Sequence, residues 1–130
     1  MSKSTPIPRL PDAELDIMLV LWQHDGPSRI SEIHDALREI RPCSKPALHN
    51  LLDRLAERGF VQIDRIEDKP PYKLFTTLIS EKQYRARESS DFVRRLCRGK
   101  WQSLIAALVD SEEIGREDLE EISRLLEKKS

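Results

Sequence analysis

Residues 44–54 carry side chains whose chemistry suits a DNA groove: Ser44, Lys45, Ala47, His49, Asn50 and Arg54. An asparagine can pair with adenine through two hydrogen bonds, and an alanine can pack on a thymine methyl, so Asn50 and Ala47 are candidate base readers. His49 can donate to a purine N7 or to a phosphate. Lys45 and Arg54 suit phosphates, contacts that fix position but read no sequence. Arg54 also has a purely structural reading, as an ion pair with Asp53 or Glu57. Asp53 can accept from a cytosine amino group or simply neutralise its neighbours, and Pro46 belongs to the same surface. Further along, Arg65, Lys69 and Lys73 are candidate phosphate contacts, with solvated surface charge as the competing reading.

Catalytic chemistry has no comparable footing. The chain holds no HExxH, no glycine-rich phosphate loop and no Ser/His/Asp arrangement, and His24, His34 and His49 are scattered. Each histidine reads more simply as a surface residue, so neither an enzyme, a metal site, a cofactor nor a small-molecule substrate is expected. The two cysteines, Cys43 and Cys97, form no CxxC pair and imply no disulfide framework. They read as ordinary semi-buried thiols. A thiol- or metal-responsive regulator is the alternative, because Cys43 immediately precedes the candidate DNA-reading stretch.

The element that must position these groups is a helix over residues 44–59. Leu48, Leu51, Leu52 and Leu55 recur at i, i+3, i+4 and i+7, the spacing of a core-facing stripe, and leave the polar residues on the opposite face. Ser44 is the expected N-cap. Pro46 fits the first turn, where its missing N–H is not needed. Gly59 stands where a left-handed residue ends a helix. Residues 60–66 and 72–78 then read as strands around a charged tip containing Pro70 and Pro71. Helix, hairpin and a preceding helix make a winged helix-turn-helix, whose second helix lies in the major groove.

The remaining segments support that unit or pair two copies of it. Residues 1–11, with Pro6, Pro8 and Pro11, read as an extended arm. Residues 12–23 form a first helix, with Leu15, Met18, Leu19 and Trp22 on one apolar face broadened by Ile17 and Leu21. Residues 28–40 hold a second helix, striped by Ile30, Ile33, Leu37 and Ile40, whose start lies anywhere from Ser28 to Ser31. Ser80 and Gln83 have capping-box spacing and open a fourth helix. A fifth begins near Trp101 and a sixth after Gly115. Three amphipathic helices attached to a complete DNA-binding unit need a partner surface, and a second copy of the chain is the simplest. Phe92, Leu96, Trp101, Leu104, Ile105, Leu108, Leu119, Ile122 and Leu126 are the candidate dimerisation residues. The expected organisation is an arm (1–11), a winged-helix domain (12–79) and a helical dimerisation domain (80–130), mainly α with a small β-hairpin.

Composition is compatible with this. The 130 residues include 22 Lys+Arg and 23 Asp+Glu, so the net charge of −1 keeps alive a winged helix used for protein–protein contact alone. The N-terminus lacks the apolar segment of a signal peptide, and no apolar run is long enough to cross a bilayer, so a cytoplasmic location is expected.

The sequence resembles the penicillinase repressor family, the BlaI/MecI/CopY group of bacterial repressors, over residues 10–129. The likeness rests on LPDAELDIMLVLW, GPSRISEIHDAL, LHNLLDRLAERGFV, YKLFTTLISEKQY, DFVRRLCRGKWQSLIAALV and EDLEEISRLLEKK, in that order. It implies a winged-helix domain, a helical dimerisation domain, and a homodimer that represses transcription from a palindromic operator. In the antibiotic-resistance branch it implies a membrane sensor protease system that leads to cleavage of the repressor between Asn and Phe. The matching positions here are Ala107 and Leu108, a departure from that pattern. The copper-responsive branch carries a C-terminal cysteine cluster, and the tail here has no cysteine.

Overall fold

A computed structural model describes residues 7–129. The first part of the expected arm, residues 1–6, lies outside the described residues. Eight elements follow in chain order: α1 (Asp12–Gln23), α2 (Ile30–Leu37), α3 (Lys45–Glu57), β1 (Val61–Ile66), β2 (Tyr72–Thr77), α4 (Glu81–Leu96), α5 (Trp101–Asp110) and α6 (Arg116–Lys129). The chain divides into two compact units, Met1–Arg87 and Glu88–Ser130. The first is a winged helix: α1, α2 and α3 pack on one another and the hairpin β1–β2 follows α3 directly.

The core of this first unit has α3 at its centre. Leu48, Leu52 and Leu55 are fully buried, against Ile17, Met18 and Leu21 of α1 and Ile33 and Leu37 of α2. Phe60 and Phe75 close the core from the hairpin. The Tyr84 ring meets Phe60 edge-on and lies 5.7 Å from Trp22 between centroids, bringing the first turn of α4 into the same core. Two long-range hydrogen bonds fix its borders. Trp22 Nε1–H donates to the Ile79 carbonyl (2.9 Å), and the Leu10 N–H donates to the Tyr84 hydroxyl (2.9 Å). Leu10, expected in a solvated arm, is therefore a buried core residue.

Two expectations about packing are corrected. The buried stripe of α1 is Glu14, Ile17, Met18 and Leu21, whereas Leu19 is exposed. The second helix is shorter than expected and ends at Leu37, which leaves Ile40 outside it and 58% exposed. The helix starts at Ile30, within the expected window of Ser28 to Ser31. Ser28 forms a one-residue bridge to Phe75 of β2, donating its N–H to the Phe75 carbonyl (2.9 Å) and accepting from the Phe75 N–H (2.8 Å). That bridge extends the antiparallel hairpin to a minimal third strand and ties the wing to the start of α2.

The hairpin register pairs Val61 with Thr77, Ile63 with Phe75, Arg65 with Lys73 and Ile66 with Tyr72. Gly59, at φ +81, makes the left-handed turn that lets the chain leave α3 and enter β1. The Ser80–Gln83 capping box forms as spaced: the Ser80 N–H donates to Gln83 Oε1 (2.8 Å), and the Gln83 N–H donates to Ser80 Oγ (3.1 Å).

The second unit contains the rest of α4 with α5 and α6. None of its described apolar side chains is fully buried. Leu104, Ile105 and Leu108 of α5 are half-buried, while Trp101 is 60% exposed. Phe92 and Leu96 of α4 are exposed, as are Leu119, Ile122, Leu125 and Leu126 of α6.

Candidate nucleic-acid interface

The leucines that anchor α3 also decide which of its side chains meet solvent. With Leu48, Leu52 and Leu55 buried, the opposite face must point away from the core. Lys45, Pro46, Asn50, Asp53 and Arg54 are all exposed on it. Ala47 and His49 are half-buried at its border. Ser44 caps the helix, its Oγ accepting from the Ala47 N–H at 3.2 Å. No ion pair forms between Arg54 and either Asp53 or Glu57 among the described residues, so the guanidinium stands free on the surface.

The turn leading into α3 is held by a histidine. His34 Nε2 lies 2.8 Å from the Cys43 carbonyl oxygen, and since a carbonyl only accepts, that nitrogen carries the proton. His34 is therefore half-buried and structural, not a free surface residue. A second bond fixes the other end of this turn: Arg41 Nε–H donates to Asp16 Oδ2 of α1 at 2.7 Å.

His49 turns toward the wing. Its ring centroid lies 6.4 Å from that of Phe75, and its side chain helps to line a groove between the start of α2, α3 and the hairpin. The groove has a volume of about 490 Å³ and is lined by Arg29, Ile30, Ser31, His49, Arg65, Pro71, Tyr72 and Lys73. The Arg29 guanidinium carbon sits 3.7 Å from the centroid of the Tyr72 ring, a cation–π stack. Arg65 donates from Nε to Glu67 Oε2 (2.7 Å). Lys69 is exposed at the hairpin tip, outside the groove.

The structure thus brings together Arg65, Lys73 and His49 of the sequence-derived candidates. It places Lys45, Asn50 and Arg54 on the adjoining helix face and leaves Lys69 apart. Sequence reasoning missed Arg29, Ser31 and Tyr72. Their only linear signal is that Arg29 and Ser31 follow Pro27, where a helix was about to start. Nothing in the spacing joins Arg29 to an aromatic ring on the wing.

In the second unit, the Ala107–Leu108 bond lies inside α5, with Ala107 exposed and Leu108 half-buried. A protease takes its substrate extended, so a cut there requires this helix to open. No group of three or more His, Cys, Asp or Glu side chains among the described residues could hold a metal ion. No described helix is long and apolar enough to cross a membrane.

Comparison with known proteins gives a consistent result. The family model for the penicillinase repressor matches residues 10–128. The methicillin resistance regulatory protein MecI of Mammaliicoccus sciuri is 26% identical over 117 residues, covering 90% of this chain and 92% of its own length. The penicillinase repressor of Bacillus licheniformis is 25% identical over 121 residues, covering 93% of this chain and 91% of its own. The solution structure of the DNA binding domain of the repressor BlaI is 27% identical, with a TM-score of 0.49, over 65% of this chain and 94% of that domain.

Proposed function

Because this chain belongs to the penicillinase repressor family, we propose that it is a DNA-binding transcriptional repressor acting as a homodimer on a palindromic operator. It is a binding protein and not an enzyme. The relatives' names, methicillin resistance regulator and penicillinase repressor, support antibiotic-resistance genes as its targets.

The observation that carries the reading is the exposed polar face of α3, backed by buried leucines and adjoining a basic groove. An α-helix of this kind fits the major groove, where base pairs present distinct donor and acceptor patterns. Asn50 reads adenine, Ala47 meets a thymine methyl, and Lys45 and Arg54 grip phosphates. Arg65 and Lys73 hold the backbone beside the helix, and Lys69 reaches phosphates from the tip of the wing.

One such unit makes few contacts, so affinity depends on pairing. The exposed apolar residues Phe92, Leu96, Trp101, Leu119, Ile122 and Leu126 supply the surface for a second copy, together with the half-buried Leu104, Ile105 and Leu108. A twofold dimer places two α3 helices in successive major grooves about 34 Å apart. Separating the paired helices, by a protease or otherwise, then lowers operator occupancy.

The test is a mobility-shift titration against DNA from upstream of this gene and its neighbours. Saturable binding to an inverted repeat, with affinity falling steeply as salt rises, is the expected result. Equal and weak binding to every duplex, with no salt dependence, overturns it.

A further inference from the structure

We propose that the groove between the start of α2 and the wing is a seat for one DNA phosphodiester, with Arg29 as its principal donor. The inference rests on the repressor reading and adds a residue to it. Arg29 is the N-cap residue immediately before α2, outside the helix that reads bases, and its guanidinium is held against the wing. The Arg29 guanidinium carbon lies 3.7 Å from the Tyr72 ring centroid, and a guanidinium stacked on an aromatic face keeps its N–H edge available to a ligand. That edge carries the paired N–H donors that match phosphate oxygens. Among the described residues it has no carboxylate partner.

The hairpin supplies an independent observation. Arg65 and Lys73 are cross-strand partners, and both line the same groove. Like charges directly opposite on an antiparallel pair repel. Glu67 pairs with Arg65 at 2.7 Å and offsets part of that repulsion, and an anion between α2 and the wing turns the remainder into attraction. His49 lines the groove from α3, so a phosphate seated there is continuous with the face that reads bases. A ligand that follows both surfaces is the backbone of the same duplex. Inorganic phosphate shares the chemistry, and competition separates the two sources.

The test compares the full-length wild type with Arg29→Ala, Arg29→Lys and Tyr72→Leu on a random-sequence duplex across a salt series. Arg29→Ala should weaken binding by roughly tenfold per protomer. It should also flatten the slope of log affinity against log salt by about 1 per protomer, as loss of a phosphate contact requires. Arg29→Lys should retain the slope while losing part of the affinity. Tyr72→Leu should weaken binding with the slope unchanged, because the charge remains. Millimolar inorganic phosphate at constant ionic strength should leave duplex binding unaltered; displacement of the duplex would assign the groove to free phosphate and overturn the proposal. A normal wild-type slope together with an unchanged Arg29→Ala slope overturns the phosphate seat alone. A wild type that binds no duplex defeats the repressor reading and this inference with it.

Discussion

Glu14 and Arg58 meet 3.1 Å apart, joining the first turn of α1 to the residue that caps the end of α3. Glu14 is 2% exposed, and its Oε1 has no aligned hydrogen bond in addition to the ion pair. The carboxylate is held in the core by one partly exposed arginine. This fixes the angle between α1 and the helix that presents the DNA-reading face.

Removing Arg58 should therefore cost more than an ordinary surface substitution. Arg58→Ala leaves a buried carboxylate without its partner, at about 1–3 kcal/mol of stability. This is below the roughly 3–5 kcal/mol of a fully buried pair, because water reaches the arginine side. Chemical denaturation measures it. The double variant Glu14→Leu with Arg58→Met should recover most of the loss, since an apolar pair removes the stranded charge.

Asn50 is exposed on the polar face of α3, the face proposed to read bases. Asn50→Ala should cost about 1–3 kcal/mol on the operator and relax preference at one base position. Fluorescence anisotropy on operator variants measures both effects. Equal loss on operator and scrambled DNA would mean that Asn50 reads no base.

Trp101 is the largest exposed apolar side chain of the second unit, at 60% exposure. If pairing buries it, Trp101→Ala should weaken the dimer by roughly 3–5 kcal/mol, the range for a buried tryptophan truncated to alanine. Sedimentation at micromolar concentration would then show monomer. A variant that remains dimeric removes Trp101 from the interface.

Lys73 should trade stability for binding. It lies opposite Arg65 across the hairpin, and Glu67 already offsets part of the Arg65 charge, so Lys73→Thr should raise stability by only about 0.2 kcal/mol, the low end for a like-charge pair. The same change should weaken binding to any duplex. Thermal melting and anisotropy on one preparation test the two signs together.

What could be read from the sequence depended on how local the cause was. The third helix was legible because its leucine periodicity, the Ser44 cap and the Gly59 terminator are all local in the chain, and residues 12–23 were legible as a helix from the spacing of their apolar residues. The exposed face of α3 followed from its leucines. The inner face of α1 did not. Leu15, Met18, Leu19 and Trp22 have the same spacing as Glu14, Ile17, Met18 and Leu21, and a glutamate reads as surface until Arg58 is seen beside it. The bridge from Ser28 to Phe75 was not legible, because a single bridged residue leaves no alternating pattern. The basic groove was only half legible. Arg65 and Lys73 stood out as hairpin charges, but Arg29 becomes part of the site only when the bridge from Ser28 to Phe75 brings α2 against the wing.

The central claim is that paired α3 helices read two related half-sites. Selection of duplexes from a random library by the full-length protein tests it most directly. The account predicts enrichment of an inverted repeat whose half-sites are centred about 10 base pairs, one helical turn, or a multiple of that apart. Enrichment of a single unrepeated site, or of no sequence at all, would contradict it.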